Sequence, residues 1–298
     1  MKILLVCLLF LRGMAYGQPS LSDTRSLIAA PDTLRLIGRQ FSFTEGASVD
    51  RKGNVYFTDQ PNNKIWEYSV DGRLSIFLDS AGRSNGMYFD RKGRLVTCAD
   101  ENDQLWAIGM DRKITILLDK YRGLRLNGPN DLWIDRSGGI YFTDPYYQRP
   151  YWTRTRPDLE KQNVYYLPKG AMQPVIVDSD MVQPNGIVGT PDGKFLYVAD
   201  LAAGKTYKYR IALAGHLTDK MLFVSQGSDG MTLDDQGNLY LTGNGVTVYD
   251  PAGQKIAHIP VPEKWTSNLC FGGRDKKELF ITASEAIYIL RMRVRGVE

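Results

Sequence analysis

The sequence predicts an all-β protein, a six-bladed β-propeller whose blades are four-stranded antiparallel sheets. One phrase, made of a polar residue, an apolar strand, a charged turn and a second strand, returns six times along the 298 residues. Its copies are spaced about 40 to 55 residues apart, which is the period typical of propeller blades. Apolar runs between the copies supply the other strands of each blade, so the repeat accounts for nearly the whole chain.

The inner hairpin of each blade is the clearest part of the repeat. Its six copies are TEGASVDRKGNVYFTD from Thr44, SNGMYFDRKGRLVTCAD from Ser84, PNDLWIDRSGGIYFTDP from Pro129, PNGIVGTPDGKFLYVAD from Pro184, SDGMTLDDQGNLYLTG from Ser228 and SNLCFGGRDKKELFITA from Ser267. The turns DRKGN, DRKGR, DRSGG and DDQGN contain the glycine that a tight hairpin needs at positive φ. Each copy therefore predicts two adjacent antiparallel strands.

The outer strands follow in the segments between the copies. Third and fourth strands are predicted in KIWEYSV with LSIFLD, in QLWAIGM with ITILLD, and in TYKYRIA with MLFVS. The segment TLRLIGRQFSF, before the first copy, alternates apolar residues but has no hairpin of its own. We expect it to pair with the last blade and close the ring, because closure removes an exposed sheet edge. Residues 33–298 are thus predicted to form a single propeller domain.

The first residues, MKILLVCLLFLRGMAYGQ, have the features of an export signal. A basic residue precedes the apolar run Ile3 to Leu11, and small residues stand three and one positions before a cleavage point after Gly17. We therefore predict a signal peptide at 1–17, a leader segment at 18–32 and an exported protein, periplasmic or secreted. A short membrane anchor is the alternative, but the apolar run is far below the ~20 residues that a span needs. No membrane span is expected in the mature protein.

Charge and cysteine content exclude other classes of protein. The formal net charge is +4, with 37 basic and 33 acidic residues scattered along the chain, so nucleic-acid binding is not expected. Cys98 and Cys270 fall in apolar strands and are predicted to be buried thiols, with one disulfide between them as the alternative. The two histidines, His216 and His258, lie away from the starts of the blades, which disfavours a histidine base.

The residue at the second position of each copy is polar and carries a side-chain oxygen in all six blades. The six residues are Glu45, Asn85, Asn130, Asn185, Asp229 and Asn268. Because each begins the innermost strand of its blade, we expect them to converge on the channel axis at one end. Two carboxylates among amides repel each other unless a cation neutralises them, and oxygen ligands suit Ca²⁺ or Mg²⁺ better than Zn²⁺. The alternative is structural, since Asn and Asp also begin strands by bonding to their own loops.

With these residues in place, the chain resembles the SMP-30/gluconolactonase family of six-bladed propellers. The resemblance runs from about Thr44 to Leu290 and rests on LNGPNDLWID followed by GGIYFTDP, on PNGIVGTPDGKFLYVAD, on SDGMTLDDQGNLYLTG and on NLCFGG. It implies one divalent cation, Ca²⁺ before Mg²⁺, Mn²⁺ or Zn²⁺, and the matching ligands are Glu45, Asn130, Asn185 and Asp229. Two departures touch the pocket wall: EGASVD, where the family usually has a proline and an aromatic residue after EG, and Gly128, where a serine is common.

The resemblance also implies metal-assisted hydrolysis of a sugar lactone, with water attacking a carbonyl that the cation polarises. Asp229 is the expected catalytic residue, because it can orient or deprotonate that water. Asp131 is expected next to the substrate, chiefly to orient Asn130. Asn85 and Asn268 are expected to bind substrate hydroxyls, with loop fastening as an equal alternative. A phosphotriesterase-like hydrolase on the same cation and an exported, non-catalytic binding module remain the two rival functions.

The longest interval between copies holds an aromatic and arginine-rich insertion, YYQRPYWTRTRPDLEKQN, at residues 146–163. It follows the inner hairpin of the third blade, so we expect it to fold over the channel mouth as a lid. Tyr146, Arg149 and Trp152 would then contact a sugar-like lactone, since aromatic faces stack on such rings and arginine binds their oxygens. The alternative is an insertion packed against the neighbouring blade with its arginines in solvent.

Overall fold

The computed structural model describes residues 27–29 and 31–298, and in them the predicted propeller is confirmed. Six four-stranded antiparallel sheets follow one another along the chain. The predicted signal peptide, 1–17, lies outside the described residues. Within the described ranges, no helix has the length and hydropathy to cross a membrane.

The first three blades each begin with their innermost strand. After β1 (Arg35–Gly38), blade 1 comprises β2 (Thr44–Val49), β3 (Val55–Asp59), β4 (Lys64–Tyr68) and β5 (Leu74–Asp79). Blade 2 comprises β6 (Ser84–Phe89), β7 (Leu95–Ala99), β8 (Gln104–Ile108) and β9 (Ile114–Leu118), with the 3₁₀ segment Asp100–Asn102 after β7. A ribbon of β10 (Lys120–Tyr121) and β11 (Leu124–Arg125) leads to blade 3, which comprises β12 (Leu132–Ile134), β13 (Ile140–Asp144), β14 (Asn163–Leu167) and β15 (Val175–Asp178).

The last three blades repeat this order. Blade 4 comprises β16 (Pro184–Gly189), β17 (Phe195–Asp200), β18 (Lys205–Ile211) and β19 (Leu217–Val224), with a 3₁₀ segment at Leu213–Gly215. Blade 5 comprises β20 (Met231–Leu233), β21 (Leu239–Gly243), β22 (Gly245–Tyr249) and β23 (Lys255–Ile259). Blade 6 comprises β24 (Thr266–Gly272), β25 (Glu278–Ala283) and β26 (Ala286–Arg291), and its fourth strand is β1.

The ring closes through the pairing of β1 with β26, as the sequence predicts. The two strands are antiparallel, with Arg35 opposite Ile289. Upstream of β1, Leu27 is buried against the hydrophobic residues of blade 6, and Ile28 forms a bridge with Met292. The domain boundary at residue 33 stays a prediction, but part of the predicted leader packs on the ring.

Hydrophobic cores lie between adjacent blades rather than in one central mass. One core joins blades 3, 4 and 5 and includes Trp133, Tyr141 and Tyr197. Cys98 and Cys270 are buried in two other cores as free thiols, which confirms that prediction. Burying one large apolar side chain contributes about 1.5–3 kcal/mol, so these layers make the blades a rigid support for residues at the axis.

An aspartate at the end of the second strand fastens the loop that precedes the innermost strand. Asp59, Asp144 and Asp200 each accept two backbone N–H groups from that loop. Because the loop leads directly to the polar residue that begins the innermost strand, these charge-assisted bonds fix the position of that residue. Blade 2 has Asp100 at the equivalent position, and its carboxylate is used in a different way.

Candidate functional site

The six polar residues that begin the blades, here called the mouth column, lie at one end of the channel and are buried. Their exposed fractions range from 2% to 9%. Backbone hydrogen bonds connect neighbouring blades at this level: the Gly86 N–H donates to the Asn130 carbonyl and the Gly230 N–H to the Ser267 carbonyl, both at 2.7 Å. The ring of innermost strands is therefore fixed at the height of the mouth column.

The residue after the mouth column is glycine in four blades, and the structure explains why. These glycines are Gly46, Gly86, Gly186 and Gly230. A Cβ atom on Gly46 would lie 2.0 Å from the Asn85 carbonyl oxygen, and one on Gly186 would lie 2.5 Å from that of Asp229. No side chain tolerates such distances, so glycine is what lets the mouth-column residues of adjacent blades approach each other.

The two carboxylates of the mouth column lie close enough to affect each other. Burial and the charge of Asp229 raise the pKa of Glu45 well above its ordinary value. Burial also raises the pKa of Asp229 to about 6, although the Trp265 indole opposes this by donating to Asp229 Oδ2 at 2.6 Å. Arg149 lowers both pKa values, but its guanidinium is ion-paired with Asp100 at 3.0 Å. Two buried carboxylates arranged in this way favour a bound cation.

Asn185 adds a further oxygen to the mouth column. Its Nδ2 donates to the Tyr147 hydroxyl at 3.0 Å, while its Oδ1 is buried and accepts no hydrogen bond from any residue that the structure describes. A buried oxygen in that state costs about 1–3 kcal/mol. The described ranges contain no metal-binding group of three or more His, Cys, Asp or Glu side chains. The mouth column instead combines two carboxylates with amide oxygens. Such a set of oxygen ligands fits a hard divalent cation.

Asn130 and Asp131 are held by the inner strands of blades 2 to 4. The Asn130 N–H donates to the Thr143 carbonyl at 2.9 Å. The carboxylate of Asp131 accepts the Leu132 N–H at 2.9 Å and the Ile187 N–H at 3.3 Å. Burial raises the pKa of Asp131 to about 8. Asp131 therefore ties blade 3 to blade 4 through the backbone, and its predicted role toward Asn130 and the substrate stays a prediction.

The two other amides of the mouth column differ in their contacts. Asn268 Oδ1 accepts the N–H of Leu269 at 2.8 Å, which is the loop-fastening interaction considered above as the alternative. Its amino group is left for another partner. Asn85 is buried, and its backbone carbonyl oxygen lies next to Gly46. Substrate binding by these two residues stays a prediction.

The insertion 146–163 is anchored on blade 2 by Asp100, whose equivalents in blades 1, 3 and 4 fasten a loop. Arg149 Nε donates to Asp100 Oδ2 at 3.0 Å, and the Tyr151 hydroxyl donates to the same oxygen. The Trp152 indole donates to the Asp100 carbonyl at 2.9 Å. The insertion therefore packs against the neighbouring blade, as one of the two expectations had it, and its Tyr147 also reaches the mouth column.

The alternative of an insertion packed on the neighbouring blade placed its arginines in solvent, and this part of the expectation is wrong for Arg154. Arg154 pairs with Asp103 at 2.6 Å, with the two side chains 4% and 7% exposed. Its guanidinium also stacks over the Trp152 ring at 3.9 Å and lies 5.2 Å from the Tyr146 ring. These contacts make the insertion a fixed wall beside the mouth.

Trp265, in the loop before β24, contacts the mouth column and was not identified from the sequence. It does not belong to the six-fold repeat, so the pattern gave no signal for it. Tyr147 belongs to the aromatic insertion that was expected at the mouth, and it contacts Asn185. The histidines are remote, as expected: His258 lies on β23, the outermost strand of blade 5, with Nδ1 3.3 Å from the Thr247 hydroxyl.

Comparisons with known proteins agree with this fold. A profile of the SMP-30/Gluconolactonase/LRE-like region matches residues 43–285. A gluconolactonase of Zymomonas mobilis is 29% identical over 297 residues, covering 88% of this chain and 82% of that protein. The solved structure of a gluconolactonase from Xanthomonas campestris superposes with a TM-score of 0.84 at 28% identity, covering 91% and 93% of the two chains. A diisopropyl-fluorophosphatase of Loligo vulgaris is 29% identical over 177 residues, 55% of this chain and 56% of that protein.

Proposed function

The chain belongs to the SMP-30/gluconolactonase/LRE-like family, and from that membership we propose that it is a hydrolase that opens sugar lactones to aldonic acids. Its similarity to named gluconolactonases over most of its length supports the reaction class. The observation that carries the proposal is the buried oxygen cluster of the mouth column. Glu45, Asp229 and the unpartnered Asn185 Oδ1 meet there beside a wall of aromatic and basic residues.

We propose that Glu45, Asn130, Asn185 and Asp229 hold one divalent cation, with Ca²⁺ preferred over Mg²⁺, Mn²⁺ or Zn²⁺. When bound, such a cation polarises the lactone carbonyl and stabilises the negative charge that develops on its oxygen. Carboxylate and amide oxygens are the ligands that Ca²⁺ takes in proteins, and its high coordination number leaves positions for water and substrate.

Asp229 is proposed to orient or deprotonate the attacking water. The Trp265 indole donates to its Oδ2 and fixes the plane of the carboxylate. Its Oδ1 is then left for the cation and the water. Glu45, which is buried next to it, keeps this carboxylate within one polar cluster, from which bulk water is largely excluded.

Substrate contacts are proposed for the remaining residues around the mouth. Arg149 donates through Nε to Asp100, which leaves its terminal nitrogens for a lactone hydroxyl or carboxylate. Arg154 lies over one face of the Trp152 ring and near the Tyr146 ring, so the opposite faces of these rings are proposed to contact the substrate. Asn85 and Asn268 are proposed to bind sugar hydroxyls through their amino groups, and Asp131 is proposed to orient Asn130 next to the substrate.

A metal-dependence assay tests the proposed function. Purified protein, treated with chelator and then supplied with Ca²⁺, Mg²⁺, Mn²⁺ or Zn²⁺, is assayed for proton release from gluconolactone and other aldonolactones. We expect turnover to vanish with chelator, to return with Ca²⁺ and to be lost in Asp229→Asn. Turnover that survives both treatments would refute the proposed mechanism.

A second candidate reaction is hydrolysis of phosphotriesters at the same cation, and the similarity to diisopropyl-fluorophosphatase favours its inclusion. A paraoxon-like ester in the same panel separates the two substrates. Turnover of the ester without lactone turnover would select the second candidate. Cation binding with neither activity would indicate a binding module.

Export is proposed on the N-terminal sequence. Residues 1–17 would be removed, and the mature protein would begin at Gln18 in the periplasm or the medium. Edman sequencing of protein recovered from culture fractions tests this. Recovery of the chain with Met1 intact inside the cell would contradict it.

A further inference from the structure

Asp100 occupies the position of the loop-fastening aspartates of blades 1, 3 and 4, but in blade 2 another residue fastens the loop. The loop before β6 contains Gly82 and Arg83. The Arg83 N–H donates to Asn63 Oδ1 at 2.7 Å, and the Gly82 carbonyl accepts the Glu101 N–H at 3.0 Å. Asn63 therefore takes over the fastening in this blade, which leaves the Asp100 carboxylate for another partner.

That partner is Arg149 of the insertion. Arg149 Nε donates to Asp100 Oδ2 at 3.0 Å, and the Tyr151 hydroxyl donates to the same oxygen. The Asp100 side chain is 2% exposed and that of Arg149 is 21% exposed. Among the residues that the structure describes, neither terminal nitrogen of Arg149 has a hydrogen-bond or ion-pair partner. Asp100 therefore fixes the guanidinium through Nε and leaves both terminal nitrogens for another acceptor.

The guanidinium of Arg149 lies beside the mouth column. Its central carbon is 5.4 Å from the centre of the Tyr147 ring, and the Tyr147 hydroxyl accepts the hydrogen bond from Asn185. Burial raises the pKa of Glu45 and of Asp229, and the charge of Arg149 opposes this rise at both carboxylates. Arg149 is thus close to the residues that are proposed to hold the cation.

Gly128 makes room for this arrangement. A Cβ atom on Gly128 would lie 2.8 Å from Cη2 of Trp152 and 3.0 Å from Asp100 Oδ1. A side chain at this position would push the indole ring or the carboxylate away. The indole itself donates to the Asp100 carbonyl at 2.9 Å, so the ring and the ion pair share one anchor. The departure at Gly128, where a serine is common in the family, therefore goes together with the seating of the insertion on Asp100.

The charges around the mouth balance in groups. Asp100 matches the charge of Arg149. Glu45 and Asp229 together match the charge of the proposed divalent cation. A carboxylate on the substrate would therefore find no unmatched positive charge among these residues, and burying it there would be costly. The free N–H groups of Arg149 can instead donate to the oxygens of hydroxyl groups.

From this arrangement we infer that Asp100 is a positioning residue for substrate specificity, which holds the terminal N–H groups of Arg149 for the ring hydroxyls of a neutral sugar lactone. The inference rests on the proposed lactonase function and narrows its substrate. Lactones without hydroxyls lose the bonds to Arg149, and lactones that carry a carboxylate add a charge that the mouth does not match. Arg149 thus acts on binding of the substrate, and the chemistry at its carbonyl is left to other residues.

Steady-state kinetics with two lactones tests the inference. The ring of gluconolactone carries hydroxyl groups and that of δ-valerolactone carries none. In the Ca²⁺-loaded full-length chain, Arg149→Gln is expected to lower kcat/KM for gluconolactone about 10- to 100-fold, mostly through KM, because hydrogen bonds from a charged donor are lost. Asp100→Asn is expected to give about a tenfold loss of the same kind. For δ-valerolactone, kcat/KM should change less than about threefold in both variants.

A double variant shows whether Asp100 acts through Arg149. The loss in Asp100→Asn/Arg149→Gln should equal that in Arg149→Gln alone. Asp158→Asn is the matched control, since it removes the partner of Arg125 from the same insertion, and both kcat/KM values should stay unchanged. Should Asp100→Asn not fold, Tyr151→Phe removes one of the bonds to the same carboxylate, and about a threefold loss for gluconolactone alone is expected.

Equal losses for the two lactones, or additive losses in the double variant, would overturn the inference. A higher kcat/KM of the natural protein for glucarolactone, which carries a carboxylate, than for gluconolactone would also overturn it. Turnover with an unchanged ratio between gluconolactone and δ-valerolactone in Arg149→Gln refutes the inference alone. An absence of turnover of every lactone in the natural protein refutes the proposed function, and the inference with it.

Discussion

Removing the Tyr147 hydroxyl is expected to weaken cation binding without changing the chemistry at Asp229. Asn185 Nδ2 donates to that hydroxyl at 3.0 Å, and this bond fixes which way the amide faces. In Tyr147→Phe the amide can turn and pair its amino group with the nearby carboxylates. One neutral hydrogen bond is worth ~0.5–1.5 kcal/mol, which corresponds to about a two- to twelvefold loss of Ca²⁺ affinity.

The assay is calorimetric titration of Ca²⁺ into chelator-treated protein, followed by lactone turnover at saturating Ca²⁺. We expect a weaker Kd with kcat nearly unchanged, because the ligand set is intact once the site is filled. Tyr146→Phe is the matched control, since it removes a hydroxyl from the adjacent residue whose partner is Gln148. An unchanged Kd in Tyr147→Phe, or an equal change in both variants, would refute the role given to Tyr147.

Three further predictions concern stability. Arg154→Met leaves the Asp103 carboxylate buried without its partner, so we expect the free energy of unfolding in urea to fall by about 3–5 kcal/mol; a fall below ~1 kcal/mol would contradict a buried ion pair. Gly46→Ala places a Cβ 2.0 Å from a carbonyl oxygen and should lower the melting temperature sharply, whereas Gly93→Ala, also at positive φ but with nothing within 4 Å, should cost only about 1–2 kcal/mol. Equal costs would show that the approach of the blades is not what requires glycine. Burial raises the pKa of Glu298 from 4.5 to about 7, so its ionisation opposes folding, and the stability that it contributes is lost as the pH rises from about 4.5 to 7. Urea unfolding at pH 5 and pH 8 should show this loss in the natural protein and not in Glu298→Gln, and a pH-independent difference between the two would contradict it.

The fold was predictable because the sequence repeats the same structural unit six times. Any one copy, such as SNLCFGGRDKKELFITA, is a weak signal, but six copies at propeller spacing determine the blades and their inner strands. Ring closure by β1 also followed from the sequence, since an alternating segment without a hairpin needs a partner. The mouth column was predictable for the same reason, because residues at one position of a repeat occupy one height on the axis.

The residues around the mouth column could not be predicted in this way, because they lie outside the repeat. Trp265 reaches Asp229 from a loop, and nothing in the local sequence marks that loop as facing the axis. Asp100 looks like the loop-fastening aspartate of blades 1, 3 and 4, yet it holds Arg149 and Trp152 of the insertion. Tertiary packing, not the local sequence, determines that Asp100 bonds the insertion and not a loop of its own blade. The insertion was recognised by its composition, while its attachment to blade 2 was one of two open alternatives.

The pairing of β1 with β26 has a consequence for how the molecule is made. Arg35 and Ile289 are neighbours in one sheet although they stand near opposite ends of the polypeptide. The first five blades are therefore synthesised before β26 is available, so the ring can close only after the last blade has been made. Contacts of such sequence separation form late, so assembly is slow compared with that of the individual hairpins.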